Sequence, residues 1–253
     1  MTSAGFKDHF STASDRYAAH RPDYPPELFD WLASLCPQHD LAWDCATGSG
    51  QAALGLTAHF RHVVASDASA AQISHARPHP QVDYRVAPAE ASGLAENSVD
   101  LISVAQAAHW FDLPAFYAEA LRVLKPGGVL ALWAYGLARI TPTVDALIDD
   151  FYRVRVGPYW PPERSWIDDG YRSLPFIPGE FAAPALAMRA QWNLDDLLAY
   201  LATWSAVKRY QAERGDPLPA LRESLLPHWA DPRQRRQVEW PLHLRAGRKT
   251  GGA

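Results

Sequence analysis

Sulfur is scarce in this chain. Cysteine and methionine each occur only twice in 253 residues. Cys36 and Cys45 cannot make the disulfide framework of a small secreted domain, and their number fits a reducing compartment. Long apolar runs are also missing, and nothing approaches the ~20 residues of a membrane span. The opening MTSAGFKDHF lacks an apolar stretch and carries Lys7, Asp8 and His9, so no secretory leader is expected. There is no basic surplus: the formal net charge is −4, which disfavours a surface built for nucleic-acid phosphates. Arg233, Arg235, Arg236, Arg245, Arg248 and Lys249 cluster late and read as solvated strand and tail positions. No repeat, low-complexity segment or His/Cys/Asp cluster with metal-ligand spacing is present, so no metal is expected. These absences point to a soluble, cytoplasmic protein with neither membrane nor nucleic acid as partner; a monomer or homodimer is expected.

What is present is a globular composition, 48% hydrophobic and 21% charged, enough for one large domain or a domain with a cap. From residue 41 to 135, short apolar runs alternate with helical patterns. LAWDC (41–45), HVVAS (62–66), VDYRV (82–86), VDLISVA (99–105) and VLALWAY (129–135) read as strands. QAALGLTAHF puts Ala53, Leu56 and Phe60 on one helical face. PAFYAEALRVL puts Tyr117, Ala120, Leu121 and Leu124 together, with Asp112 as N-cap and KPGG (125–128) as the stop. Such alternation implies a parallel sheet covered on both faces. PPELFDWLASL (25–35) reads as a proline-opened helix with Leu28, Phe29, Leu32 and Leu35 inward.

After residue 135 the rhythm changes, and prolines and aromatics thicken. TPTVDALIDDFYRVRV, LDDLLAYLATWSAVKRYQ (capped by Asn193) and LPALRESLLPHW read as helices. The domain plan is a first segment and helix (1–40), a strand–helix core (41–135), and a cap (136–237) with a strand near 181–192. A last strand over 238–246 follows, placed at an antiparallel edge because Pro241 lacks a ladder donor, and then a disordered tail (247–253).

The informative stretch is DCATGSG (44–50). A strand delivers an acid, then glycines, then a helix start. Glycines let the backbone approach a ligand closely, and the helix N-terminus offers unpaired N–H groups. Asp67 closes the second strand, where a carboxylate can accept both ribose hydroxyls. Gly48, Gly50 and Ala53 loosely fit the G-x-G-x-x-G/A dinucleotide pattern, which keeps an NAD-binding oxidoreductase open. However, a carboxylate at Asp44 opposes a pyrophosphate, whereas it suits a ligand carrying an amino group and a sulfonium.

These residues resemble the class I S-adenosylmethionine-dependent methyltransferases, within the small-molecule type 11 group. DCATGSG resembles the D-x-G-x-G-x-G loop and ASDAS (65–69) the acidic second motif. VAPAEASGLAENSVDLISVAQAAHWFD (86–112) resembles the adenine-contact and fourth-strand stretch, and LRVLKPGGVLALW (121–133) the following helix, turn and strand. FSTASDRYAAHRPDYPPEL (10–28) resembles the opening of the branch that includes trans-aconitate methyltransferase-like enzymes. The resemblance implies a Rossmann-like methyltransferase fold, α/β, with a mainly parallel seven-stranded sheet, helices on both faces, and a helical, aromatic cap from the C-terminal half. It implies S-adenosyl-L-methionine as cofactor. Asp44, Ala46, Thr47, Gly48, Ser49 and Gly50 would line its methionine end, and Asp67 its ribose. Ala68, Ala89 and Glu90 would flank the adenine, and Gln106 would reach the sulfonium region. One departure is Ala46, where the family has glycine. If that position needs positive φ, alanine costs roughly 1 kcal/mol. Ala46 is also the one feature favouring a non-catalytic binding protein on this fold.

The expected reaction is methyl transfer to a small-molecule acceptor, with O-methylation of a carboxylate or hydroxyl foremost. AAHWFD (107–112) follows the fourth strand, and His109 is a candidate to orient an acceptor or take its proton. Tyr17 is a second catalytic candidate, and Arg21 could fold over the cofactor and pair a carboxylate. Trp160, Trp166, Tyr171, Trp192, Trp204 and Tyr210 are candidate pocket walls. Arg164, Lys208 and Arg209 are candidates for holding an acidic acceptor. No Asn/Asp-Pro-Pro-Tyr/Phe tetrapeptide ends the fourth strand, which argues against a nucleic-acid or amide acceptor.

Overall fold

A computed structural model describes residues 22–250. A proline-opened helix α1 (Pro26–Ser34) leads into β1 (Leu41–Cys45), α2 (Gln51–Leu56), β2 (His62–Asp67), α3 (Ala70–Ser74), β3 (Val82–Val86) and β4 (Val99–Ala105). Then come α4 (Leu113–Val123), β5 (Leu124–Tyr135), α5 (Pro142–Asp150) and α6 (Arg164–Asp168). The chain ends with β6 (Ala187–Trp192), α7 (Leu194–Ala202), α8 (Ser205–Arg214), α9 (Leu218–Trp229) and β7 (Arg236–Arg248). The seven strands lie in the order β3-β2-β1-β4-β5-β7-β6. The pairs among β1 to β5 are parallel, whereas β7 runs antiparallel to β5 and to β6.

The central strands, buried on both sides, are mainly apolar, with Asp44 in β1 and Asp100 and Ser103 in β4 as buried polar residues. Trp43, Ile102, Leu130 and Leu132 face one layer, which holds Leu113, Phe116, Ala120 and Val123 of α4. Ala42, Leu101, Val129 and Trp133 face the other, with Leu28, Phe29 and Leu32 of α1, Leu56 of α2, and the cap helices. Both faces of the sheet are covered, as parallel sheets require. The strand order reverses between β1 and β4. That reversal opens the crevice at the carboxyl ends where such sheets take ligands.

The expected α/β architecture holds, and the structure corrects several local expectations. The last strand is not an edge: β7 lies between β5 and β6 and spans 236–248. Pro241 survives there because of amide alternation. The amide of Glu239 bonds Arg139 on the β5 side, and that of Leu242 bonds Leu186 on the β6 side. Position 241 therefore turns its missing donor toward β5, whose pairing has already ended at Tyr135↔Leu242. Residues 247–250 are not a loose tail: Gly247 and Arg248 pair with β5, and Lys249 N–H bonds Gly128 O. The penultimate strand starts at Ala187, not near 181. The helix does end just before KPGG, at Val123, but KPGG is not a separate turn; it lies within β5 as an irregularity in the β4–β5 register.

Two helix readings also shift. Asn193 caps α7 through a reciprocal bond with Asp196, but the helix breaks at Thr203. The Thr203 hydroxyl bonds Tyr200 O, and Trp204 turns extended to join Phe151, Tyr152, Trp160 and Tyr200. Aromatic packing overrides a helical sequence there. In α4, capped by Asp112, the inward set is Leu113, Phe116, Ala120 and Val123, and Leu121 is 40% exposed. Sequence spacing permits either face, and the sheet selects the one carrying Phe116.

Candidate active site

The crevice is built from backbone geometry. After β1 the loop passes through Ala46 (φ 56°), Gly48 (φ 57°) and Gly50 (φ 87°) before α2 begins. Thr47 N–H reaches across to Ser66 O on β2, and Gly50 N–H closes on Thr47 O. The two glycines serve different ends. A Cβ at Gly50 would collide with the Tyr84 ring on β3, so this glycine answers to the protein itself. Among the described residues, a Cβ at Gly48 would meet only Gln72 Oε1, at 4.0 Å. The space before Gly48 is open, as a ligand cradle needs.

Asp67 ends β2 with both oxygens in use: Oδ2 accepts Gly48 N–H at 2.9 Å and Oδ1 accepts Ser69 N–H at 2.8 Å. A carboxylate offers about four acceptor sites in all. Gln106 follows β4 in a left-handed conformation (φ 56°), with its N–H on Trp133 O and its side-chain amide on Tyr135 O. Ala46, Gln106 and Tyr171 (φ 61°) are three of five non-glycine residues with positive φ among the described residues. All three belong to this end of the molecule, where strain concentrates at functional positions. Ala68 is exposed and Ala89 is buried. Glu90 is engaged by Asp112 N–H, which ties the adenine-side candidate to the start of α4. Ser49 lies half-buried between the two glycines.

Asp44 is the decisive group. It is 1% exposed, and it accepts the Ser103 hydroxyl at 2.6 Å and the Thr47 hydroxyl at 2.5 Å. Burial pushes its pKa up to about 6, against the bonds from Ser103 and Thr47, and the Asp67 charge adds to the rise. Glu119 provides the contrast. Arg122 holds it from the next turn of α4, and with Ser92 it brings the pKa down to about 2. Asp44 has no cation beside it among the described residues. A buried carboxylate facing an open cradle without a cation is complementary to a cationic ligand and opposed to a pyrophosphate.

The other wall comes from the turn after β4 and from the cap. His109 is 5% exposed, and its Nδ1 lies 2.8 Å from the fully buried Tyr171 hydroxyl. Burial, with the nearby Arg164 charge, lowers the His109 pKa to about 3, so its ring is neutral. Burial raises the Tyr171 pKa, so its phenol keeps its proton. Tyr24, ahead of α1, meets Trp133 edge-to-face at 5.5 Å. Tyr17 and Arg21 lie outside the described residues.

A family model described as a methyltransferase domain matches residues 43–132. A Dictyostelium discoideum protein provisionally named a methyltransferase is 37% identical over 230 residues, covering 89% of this chain and 88% of its own. A solved structure from Anaeromyxobacter dehalogenans, provisionally described as a type II methyltransferase, is 46% identical. It superposes with a TM-score of 0.87, over 92% of this chain and 99% of its own. The chain belongs to the class I S-adenosylmethionine-dependent methyltransferases. A Bacillus halodurans structure shares the fold alone, at 20% identity and a TM-score of 0.50, over 89% of this chain and 99% of its own. The NAD-binding oxidoreductase reading falls with this membership.

The methyltransferase cofactor is S-adenosylmethionine, and the donor set suits it: an Asp44 with no cation beside it among the described residues, a carboxylate at Asp67, and a glycine turn. Asp44, Thr47, Gly48 and Gly50 would hold its amino-acid end and Asp67 its ribose. Ala46 takes the left-handed conformation a glycine would take, so the substitution keeps the loop's path. Three residues of the site were not singled out from the sequence. Ser103 had a signal, being the polar residue within the apolar run LISVA. Tyr84 and Tyr24 had none, because their roles depend on which elements meet. Among the described residues no group of His, Cys, Asp and Glu could hold a metal, and no helix is long and apolar enough to cross a membrane.

Proposed function

We propose that this methyltransferase methylates an oxygen of a small-molecule acceptor, and that the acceptor is a carboxylate. The observation that carries this reading is the buried, neutral His109. A base with a pKa of about 3 is poorly suited to deprotonate an alcohol near neutral pH. A carboxylate arrives already ionised and needs no base.

The bound cofactor would supply a methyl group activated by a positive sulfonium. The protein's share is alignment and exclusion of water. Asp44 and Asp67 fix the two ends of the donor. Gln106 is locked by Tyr135 O at the end of β4, and so shapes the floor where donor and acceptor meet. His109 and Tyr171 form a rigid neutral pair that positions the acceptor without moving a proton. The acceptor is neither nucleic acid nor membrane, and the working unit is a monomer or homodimer.

Titration calorimetry with S-adenosylmethionine, S-adenosylhomocysteine and NAD tests the donor half of this reading. Micromolar binding of the first two and none of NAD is expected. Methyl transfer from labelled donor to matched acids, alcohols and amines tests the acceptor half. Transfer confined to alcohols or amines would overturn the carboxylate assignment.

A further inference from the structure

Arg164 stands at the first residue of α6, in the cap, and its setting differs from that of the other cap cations. Its side chain is 20% exposed. Its Nε–H donates to the Tyr152 hydroxyl at 2.8 Å, and that hydroxyl donates to Asp168 Oδ1 at 2.6 Å. Its guanidinium carbon lies 4.6 Å above the Trp160 ring and 5.5 Å from the Tyr152 ring. One nitrogen and one face of the group are thus fixed. The two terminal nitrogens take no hydrogen bond among the described residues. Arg209, by contrast, donates to Tyr159 O, and Lys208 is exposed.

The position of this fork matters as much as its freedom. Helix α6 packs on the turn Ala108–Trp110 that follows β4. The Arg164 charge is close enough to act on both His109 and Tyr171. Beside it, the Trp160 indole nitrogen is buried without a partner. A buried N–H left unmade is costly unless a ligand takes it.

We propose that Arg164 docks the carboxylate of the methyl acceptor through its two terminal nitrogens, with the Trp160 N–H as a further donor. This rests on the methyltransferase reading above and names the group that holds its acceptor. A planar fork matches a carboxylate in a two-bond arrangement, and stacking on an aromatic ring preserves that geometry. The charge count also favours a carboxylate. Asp168 is 3.7 Å from Arg164 Nε and balances part of the guanidinium charge. One such cation suits a single negative charge better than the near-double charge of a phosphate monoester. Tyr152 is a positioning residue that sets the angle of the fork. A carboxylate held at three of its roughly four acceptor sites keeps a lone pair for reaction.

The test uses labelled S-adenosylmethionine with aromatic and aliphatic monocarboxylic acids, their primary amides, and phenyl phosphate. S-adenosylhomocysteine binding and thermal melting are measured on each variant. Transfer to acids and not to amides is expected. For a responding acid, Arg164→Lys and Arg164→Gln should each raise KM about 10-fold or more, with kcat changed far less and S-adenosylhomocysteine affinity unchanged. Tyr152→Phe should raise KM less, because the guanidinium stays but loses its tether. The lysine variant keeps the charge and tests the fork itself if the glutamine variant folds poorly. Equal use of acids and amides, transfer to phosphate alone, no transfer to any acid, or an unchanged KM in both arginine variants would each overturn the proposal. Wild-type protein that fails to bind S-adenosylhomocysteine would instead overturn the methyltransferase reading beneath it.

Discussion

The two halves of this methyltransferase are shaped by different means. In residues 41–135 the work is done by the main chain. Left-handed turns at Ala46, Gly48 and Gly50 aim the loop, and Asp67 accepts two backbone amides. In the cap, side chains do it: Tyr152, Trp160, Trp192, Tyr200 and Trp204 touch ring to ring and reach Trp240 of β7. The first means is local and exacting about residue type. The second is non-local and tolerates many aromatic arrangements that fill the same space.

The largest expected effect separates the halves. Trp204→Ala removes a side chain 8% exposed and touching Phe151, Tyr152, Trp160 and Tyr200. A loss of about 3–5 kcal/mol in urea unfolding is expected, with S-adenosylhomocysteine affinity retained below the transition. Loss of both together would show that the halves are not separable. Asp67→Ala should do the reverse. Cofactor affinity in calorimetry should fall about 100-fold as charge-assisted bonds disappear, with a smaller change in melting. Unchanged affinity would displace the site.

The two glycines sharpen the contrast inside the loop. Gly50→Ala should lower melting, because the new Cβ meets Tyr84, and Tyr84→Ala should restore part of the loss. Gly48→Ala should reduce cofactor affinity more than stability, since only the open cradle is filled. Equal melting shifts would erase the distinction.

The pH response pits one half against the other. Asp44 has a raised folded pKa of about 6. Its neutral form favours the fold, a contribution present below the unfolded value near 3.9 and lost as pH rises through about 6. His109 has a lowered folded pKa of about 3. Its contribution is present above about 6.5 and is lost as pH falls toward 3. The two slopes oppose each other in mildly acidic solution. Melting curves of Asp44→Asn should therefore expose a steeper fall toward low pH, and those of His109→Asn a flatter one. Binding of the ammonium-bearing S-adenosylhomocysteine should weaken below about pH 6 in wild type, by up to about tenfold per pH unit. It should lose that dependence in Asp44→Asn. The smallest effect is at Ala46. Replacement by glycine should relieve left-handed strain of about 1 kcal/mol and tighten cofactor binding slightly in calorimetry. Weaker binding would mean that the alanine methyl contacts the ligand.

The core was largely legible because its devices leave local traces. An acid before glycines, a second acid ending a strand, and alternating apolar runs each follow from short-range geometry. Asp112 and Asn193 were cap residues in the right places for the same reason. The cap was legible only as a set of helices and a supply of aromatics. Nothing near Trp204 in sequence announces that the helix breaks there, since its partners Phe151 and Trp160 are far upstream. The place of β7 was misread because Pro241 was judged against a full ladder. Only the ending of β5 at Tyr135 makes that position harmless.

The sequence by itself determined the sheet's parallel core, the glycine loop and the carboxylates that frame it, because backbone conformation constrains residue type within a few positions. The tertiary structure alone decided that, among the described residues, Asp44 is buried without a cation, His109 is neutral against Tyr171, and the terminal nitrogens of Arg164 make no hydrogen bond. Those properties depend on which distant groups share a low-dielectric space. No stretch of sequence specifies that before the chain is folded.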